Sequence, residues 1–254
     1  MLNKKGKVKT YLGNGILIIY KGNKTETGDI KNIEPLLIDS KEDISHITSA
    51  YLTSDGNTLY VTTNYTNRKN RPKEDFKETN FHIEKAEYVK GIGWTNFTVL
   101  PFCKPRYSYA HATVSSDGKT LYFTANIRGG KHSAKGTSDI FKVEIFEDGV
   151  YGEPINLGYK VNSYSAEMFP FISSDNTLYF SSNRANGIGK FDIYKSVMNE
   201  EGVFEKAQVL PEPINSKKED FCFTIDVNSK SGYFSSKRSE GKGDDDIYYF
   251  TRVE

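Results

Sequence analysis

SSDGKTLYFTAN, Ser115–Asn126, is a tight turn running into a strand, and the chain carries it more than once. TSDGNTLYVTTN at Thr53–Asn64 and SSDNTLYFSSN at Ser173–Asn183 repeat it closely, and NSKSGYFSSK at Asn228–Lys237 repeats it in worn form. The tyrosines they share, Tyr60, Tyr122, Tyr179 and Tyr233, stand 62, 57 and 54 residues apart. Self-similarity at a nearly fixed period marks a repeat architecture, and it outranks any reading of single elements.

Each copy opens on Asp-Gly or Asp-Asn, residues that accept the positive φ a tight hairpin turn needs. The strand after the turn alternates: in TLYFTAN, Leu121 and Phe123 face one way, Tyr122 and Thr124 the other. Before the turn lies another short run (SAYLT, AHATVS, MFPFIS, FCFTI), so the two runs predict an antiparallel hairpin. A third strand follows a charged, Gly-rich loop in SDIFKVEI at Ser138, FDIYKSVM at Phe191 and DDIYYFTRV at Asp245. NFHIEKAEYV at Asn80 takes that place in the first full copy. A fourth strand is headed by an aromatic residue: Trp94, Tyr151 or Phe204. The predicted fold is therefore all-β, a β-propeller of four-stranded antiparallel blades of about 55 residues.

The N-terminal IIYKGNKTETGDIKNIEPLLIDSKEDISH aligns with IYKSVMNEEGVFEKAQVLPEPINSKKEDFCF, as strands three and four of a blade. KVKTYL at Lys7 fits a shortened second strand. The last repeat stops at strand three. Five blades with incomplete ends is the preferred count. A four-bladed ring is the alternative, with IEPLLI closing the last blade. The repeat makes residues 1–254 one domain, since no blade covers both its faces alone. A start in mid-blade reads as a piece of a longer protein.

Aromatic residues make up 13% of the chain, enough to pack blade on blade. A net charge of +1 without a basic cluster excludes nucleic acid as the expected partner. RKNRPKEDFKE at Arg68 mixes both signs and reads as a solvated loop. Cys103 and Cys222 occupy non-equivalent repeat positions, so two free thiols are expected, and no Cys/His spacing suggests a metal. No apolar run is long enough for a membrane span, and no signal-peptide hydrophobic region follows Met1. No cofactor and no metal are predicted, and a monomer is expected.

The ordered set of Asp-Gly turn, LYF strand, Ser/Asn-Arg, Gly-rich loop and Asp-Ile-Tyr, as in SSDNTLYFSSNRANGIGKFDIYKS, resembles the WD-repeat-like β-propeller repeats shared with the TolB family. It is similar in particular to propeller segments of envelope proteins in Bacteroidota, which accompany tetratricopeptide repeats and an outer-membrane-protein-A-type peptidoglycan-binding domain. The resemblance covers about Ile16 to Val253. It departs where NYTNRKNRPKEDFKETN replaces the Gly-rich loop and where the last copy lacks Asp-Gly. The chain carries no peptidoglycan-binding domain. The resemblance implies a binding or scaffolding propeller in the periplasm or at the outer membrane, and no catalytic residue.

Two sets of residues invite a chemical reading. Asp139, Asp192 and Asp246 precede the third strands, where a repeated carboxylate is expected to accept backbone N–H groups of its own loop. Arg128, Arg184 and Arg238 follow the second strands as candidate partners. The loops joining strand four to the next strand one (IDSKEDISH, FCKPRYSYAH, KVNSYSAEMF, INSKKEDFCF) place Asp43, Tyr109, Glu167 and Asp220 at matched positions, with His46 and His111 beside them. Those loops crowd one face of a propeller around its channel. Three acids there suit a cationic or hydroxyl-rich ligand, or they cap strand one.

Enzyme patterns are sparse. The turns lack the Trp of a sialidase Asp-box, and no G-x-S-x-G elbow is present. Asp43, Glu167 and Asp220 keep open a carbohydrate-active propeller enzyme, which needs inward carboxylates at set separations. The expected function is a non-catalytic binding or scaffolding module that engages a protein or glycan through its loop face.

Overall fold

The Asp-Gly turns close through a serine or threonine two residues ahead of the aspartate. In the computed structural model, which describes residues 10–11, 14–15, 17–42, 44, 46–64, 80–147 and 149–252, Ser115 Oγ donates to Asp117 Oδ1 at 2.6 Å, and the Lys119 N–H donates to the same oxygen at 3.0 Å. Thr53 with Asp55 and Ser173 with Asp175 repeat the device. The left-handed residue of the turn is Gly56, Gly118, Asn176 or Ser229. Asparagine tolerates that conformation better than other side-chain-bearing residues do.

These hairpins build two compact units, Met1–Ala110 and His111–Glu254. In the first, β1 (Thr10–Tyr11) pairs with β2 (Asn14–Gly15), and β3 (Tyr20–Lys24) pairs with β4 (Ile30–Pro35). A four-stranded antiparallel blade follows in the order β5 (Ile47–Leu52), β6 (Thr58–Asn64), β7 (Phe81–Val89), β8 (Gly93–Val99). The second unit holds blades β9 (Tyr109–Val114) to β12 (Ile155–Asn156) and β13 (Glu167–Ile172) to β16 (Gln208–Val209), with β9 starting at the unit boundary. Their middle strands are β10 (Thr120–Ala125), β11 (Asp139–Glu144), β14 (Thr177–Ser182) and β15 (Asp192–Val197). A three-stranded blade ends the series: β17 (Asp220–Ile225), β18 (Ser231–Ser236), β19 (Asp246–Thr251). The protein is thus all-β, of β-propeller class, and every named strand pair is antiparallel.

IEPLLI lies within the first unit. Its leading residues belong to β4, and Leu36 N–H donates to the Ile19 carbonyl at 2.9 Å. The same bond joins Leu157 to Ile140 and Leu210 to Ile193, the junctions of strands four and three in later blades. The β3–β4 hairpin therefore has the register of strands three and four. Leu37 and Asp39 then border β8, trading two 2.9 Å backbone bonds with Trp94.

The repeat tyrosines hold one register. Tyr60, Tyr122 and Tyr179 sit opposite Lys85, Lys142 and Lys195, and all three are buried. Tyr122 and Tyr179 meet Phe204 and Phe223 of the following blade at centroid distances of 5.9 and 4.6 Å. Tyr233 opposes Tyr249 instead and is only half-buried, because no further blade follows it among the described residues of its unit. Trp94, Tyr151 and Phe204 are equivalent too, bridging the ends of the third strands at Tyr88, Ile145 and Met198. Trp94 and Phe204 are buried, whereas Tyr151 is half-buried.

The Gly-rich loops meet the next blade by backbone. A Cβ at Gly136 would lie 1.7 Å from the Ser165 carbonyl oxygen, and one at Gly189 would lie 2.2 Å from that of Lys218. Both glycines stand three residues before the repeated aspartate. Gly243, the matching residue of the last blade, has nothing within 4 Å.

Candidate functional site

The aspartates at the heads of the third strands are held by their own loops, as expected. Asp139 accepts the N–H groups of Lys135 and Gly136 and the Asn156 Nδ2 amide at 2.9, 3.0 and 2.7 Å. Asp192 accepts from Ile188 and Gly189, and Asp246 from Gly243. Burial pushes the Asp192 carboxyl above the usual carboxylate range. In the first full blade the equivalent residue is His82. It pairs with Glu84 at 2.9 Å in a fully buried contact that the sequence alone did not single out.

Tyr109, Glu167 and Asp220 open β9, β13 and β17, so they share one register. Glu167 is fully buried and uses both oxygens. Oε2 accepts the Ser163 N–H at 3.0 Å, while Oε1 accepts Ser163 Oγ, Ser182 Oγ and Arg184 Nη2 at 2.5, 2.8 and 3.0 Å. Asp220 repeats the arrangement with Ser216 N–H, Ser216 Oγ and Arg238 Nη2 at 2.6, 2.8 and 2.9 Å. Each guanidinium also donates to a carbonyl of the preceding loop, Val161 or Ile214, and lies over an aromatic pair. Arg184 covers Phe180 and Tyr194, and Arg238 covers Phe234 and Tyr248. Tyr109 fills the acid's position with a buried ring, edge-on to Phe102, and burial raises its phenol to about 12. Arg128 stands one residue later than its counterparts. It donates to the carbonyls of Ala134 and Gly136, both at 2.6 Å.

Asp43 lies outside the described residues. By strand register the residue matching Glu167 in the first full blade is Ile47, which opens β5 and is buried. His46 precedes it, and burial lowers its pKa. His111 is the third residue of β9. Its Nδ1 accepts the Phe169 N–H at 3.4 Å, the two rings stack at 3.9 Å, and burial holds its pKa well below the ordinary 6.5. His111, Phe169 and Cys222 occupy the same place in three successive first strands, with φ of 56°, 52° and 54°. That left-handed backbone is unusual inside a strand.

Two buried asparagines tie the same loops to the third strands. Asn162 Oδ1 accepts the Ile140 N–H at 2.8 Å, and its Nδ2 donates to the Ile140 carbonyl at 2.9 Å. Asn215 treats Ile193 in the same way at 2.7 and 2.9 Å. The sequence signal was the pair V-N-S and I-N-S in matched loops.

Above this layer the loops are open. Glu212, Lys217, Lys218, Arg238 and Glu240 help to line a cleft of about 410 Å³ between the loop entering β17 and the loop leaving β18. In the equivalent loop entering β13, Tyr159 and Tyr164 are 89% and 90% exposed. Cys103 and Cys222 are free, and burial pushes both thiols up to about 12. Among the described residues no group of three or more His, Cys, Asp or Glu could hold a metal ion, and no helix is long and apolar enough to cross a membrane.

No protein-family model matches the chain, and no curated protein does. Solved structures do. A putative TolB from Agrobacterium tumefaciens is similar at 14% identity, with a TM-score of 0.52 over 92% of this chain and 70% of that one. TolB from Acinetobacter baumannii is similar at 12% identity, with a TM-score of 0.50 over 93% of this chain and 50% of that one. Prolyl oligopeptidase B from Galerina marginata is similar at 16% identity over 82% of this chain, with a TM-score of 0.46, too low to carry an argument. The chain spans about a quarter of that enzyme's length and half of the Acinetobacter TolB. At such identities the likeness shows the fold alone.

Proposed function

We propose that this chain is a non-catalytic binding and scaffolding module that engages a protein or glycan through its loop face. The observation that carries this reading is the state of Glu167 and Asp220. A glycosidase needs one carboxyl free to give up a proton and another free to attack or to activate water. Here both carboxyls are fully buried and taken up by serine and arginine donors. They hold the first strands in place, while the exposed tyrosines and lysines above them are left to meet a partner. Tyrosine suits that role, since it offers a large flat surface and a polar tip at little entropic cost.

The TolB-type repeats and the TolB likeness favour the cell envelope, in the periplasm or at the outer membrane. The further resemblance to Bacteroidota envelope proteins favours a host that also carries peptidoglycan-binding parts. The test is a panel of cell-wall glycans and envelope proteins, screened for binding and for glycoside hydrolysis. Tyr159→Ala with Tyr164→Ala, and Lys217→Glu with Lys218→Glu, should abolish binding while the melting temperature holds. Hydrolysis by the wild type that Glu167→Gln removes without unfolding would replace this reading with the carbohydrate-active enzyme.

A further inference from the structure

The loops that leave β14 and β18 share one turn. The Gly187 N–H donates to the Arg184 carbonyl at 3.3 Å, and the Gly241 N–H donates to the Arg238 carbonyl at 3.2 Å. Packing fixes glycine at both places. A Cβ on Gly187 would lie 2.0 Å from Asp192 Oδ2, and one on Gly241 would lie 2.0 Å from Asp246 Oδ2. Each aspartate is held by backbone N–H donation from its own loop, which keeps its carboxylate over the glycine.

The residue ahead of the fixed glycine differs between the two loops. It is Glu240 in the last blade and Asn186 in the third, and both are exposed. An asparagine before glycine is open to attack by its own chain, since glycine has no side chain to shield its nitrogen from the amide carbon. Here one hydroxyl marks where the two reacting groups meet. Tyr194 donates to Asn186 Oδ1 at 3.4 Å, and the same hydroxyl lies 3.3 Å from the place a Gly187 Cβ would take. The amide carbonyl thus faces a donor beside the glycine, and a donor there favours the oxyanion that forms on attack. The bond that engages the Gly187 N–H is longer than an ordinary N–H···O bond and is readily given up.

We propose that Asn186 is a modification site at which the folded chain deamidates itself to aspartate and isoaspartate. The Gly187 nitrogen loses its proton to hydroxide and bonds to Asn186 Cγ. The bond from Cγ to the side-chain nitrogen breaks, and that nitrogen takes a proton from water and leaves as ammonia. Water then opens the succinimide ring at either carbonyl, so one water is consumed and nothing is oxidised. Glu240 holds a carboxylate ahead of Gly241 in the same turn, so the fold accepts the aspartate product. The Asn186 loop lies against the loop that carries Lys217 and Lys218, where the Lys190 N–H donates to the Lys218 carbonyl at 3.2 Å. Conversion therefore makes that face less cationic. The modification itself is independent of what the loop face binds.

The test incubates the intact chain at 37 °C, at pH 8.5 and at pH 5.5, and maps its peptides by mass spectrometry over time. At pH 8.5 a gain of one dalton is expected at Asn186, with isoaspartate among the products. It should appear at least tenfold faster than at Asn162 or Asn215, which are buried and clasped to the third strands. At pH 5.5 it should slow at least tenfold, because hydroxide draws off the glycine proton. Asn186→Gln should show no gain at that position, and Asn186→Asp should melt with the wild type. The proposal is overturned if Asn186 stays unchanged in the folded chain at pH 8.5, if it converts only once urea unfolds the chain, or if Asn186→Asp fails to fold.

Discussion

Arg184 reaches across the third blade to Glu167, Nη2 to Oε1 at 3.0 Å, and so ties the tail of the second strand to the head of the first. The carboxylate is 0% exposed and the guanidinium 13%. A buried pair is costly to form and costlier to break, because the survivor is left charged without a partner. Arg184→Ala is expected to destabilise folding by about 3–5 kcal/mol. Glu167→Gln, which keeps the shape and some of the hydrogen bonds, should cost about 1–2 kcal/mol. Urea denaturation of both variants checks the order. Equal losses would mean that the charge, which glutamine removes, outweighs the hydrogen bonds and shape that it keeps.

The matched glycines offer an internal control. Gly136 and Gly189 lie against the carbonyls of Ser165 and Lys218, so a methyl group there meets rigid backbone. Gly243 meets nothing. Gly136→Ala and Gly189→Ala should each lower stability by more than about 2 kcal/mol, within the range seen for overpacking. Gly243→Ala should leave it unchanged or slightly raised. Thermal melts of the three variants decide the point, and a loss at Gly243 equal to the others would put the cause in the loop's own conformation.

These contrasts mark where the sequence was legible. Asp-Gly turns and loop aspartates are held mainly by contacts a few residues long, and the repeat tyrosines, though they pack on the following blade, recur at a nearly fixed period, so spacing exposed all three. Asn162 and Asn215 were visible only as a doubled dipeptide, because their partners lie in the third strand across a loop. Arg128 looked equivalent to Arg184 and is displaced by one residue, which changes what its guanidinium reaches. His111, Phe169 and Cys222 share a backbone conformation and no side-chain chemistry, so a comparison of residue types could not pair them. His82 and Glu84 stand where other blades carry an aspartate and an aromatic ring, and a substituted repeat position hides its own significance.

Trp94 anchors the first full blade. It is buried, meets Tyr88 edge-on at 5.6 Å, and packs in a cluster with Ile47, Leu59 and Val61. Trp94→Ala should cost about 3–5 kcal/mol. Tyr151 holds the same position in the next blade and is half-buried, so Tyr151→Ala should cost distinctly less. Denaturant midpoints for the two variants test the equivalence, and a Trp94→Ala protein as stable as the wild type would refute the anchoring role.

The last expectation concerns pH. His111 is held neutral: burial lowers its pKa, and the Phe169 N–H points at Nδ1, which must be unprotonated to accept it. In the unfolded chain the imidazole returns to about 6.5. As pH falls below that value, the unfolded state takes up a proton that the folded state refuses. Stability is therefore full above about pH 6.5 and declines as pH falls, by up to about 1.4 kcal/mol per pH unit for this one group. His46, also lowered by burial, adds in the same direction. His111→Asn keeps a residue that tolerates positive φ and removes the titration. Unfolding free energies at pH 7.5 and 5.5, above the range where most carboxylates titrate, should show a steeper fall for the wild type than for the variant. Parallel slopes would mean that His111 charges within the folded protein and that its stack on Phe169 opens to water.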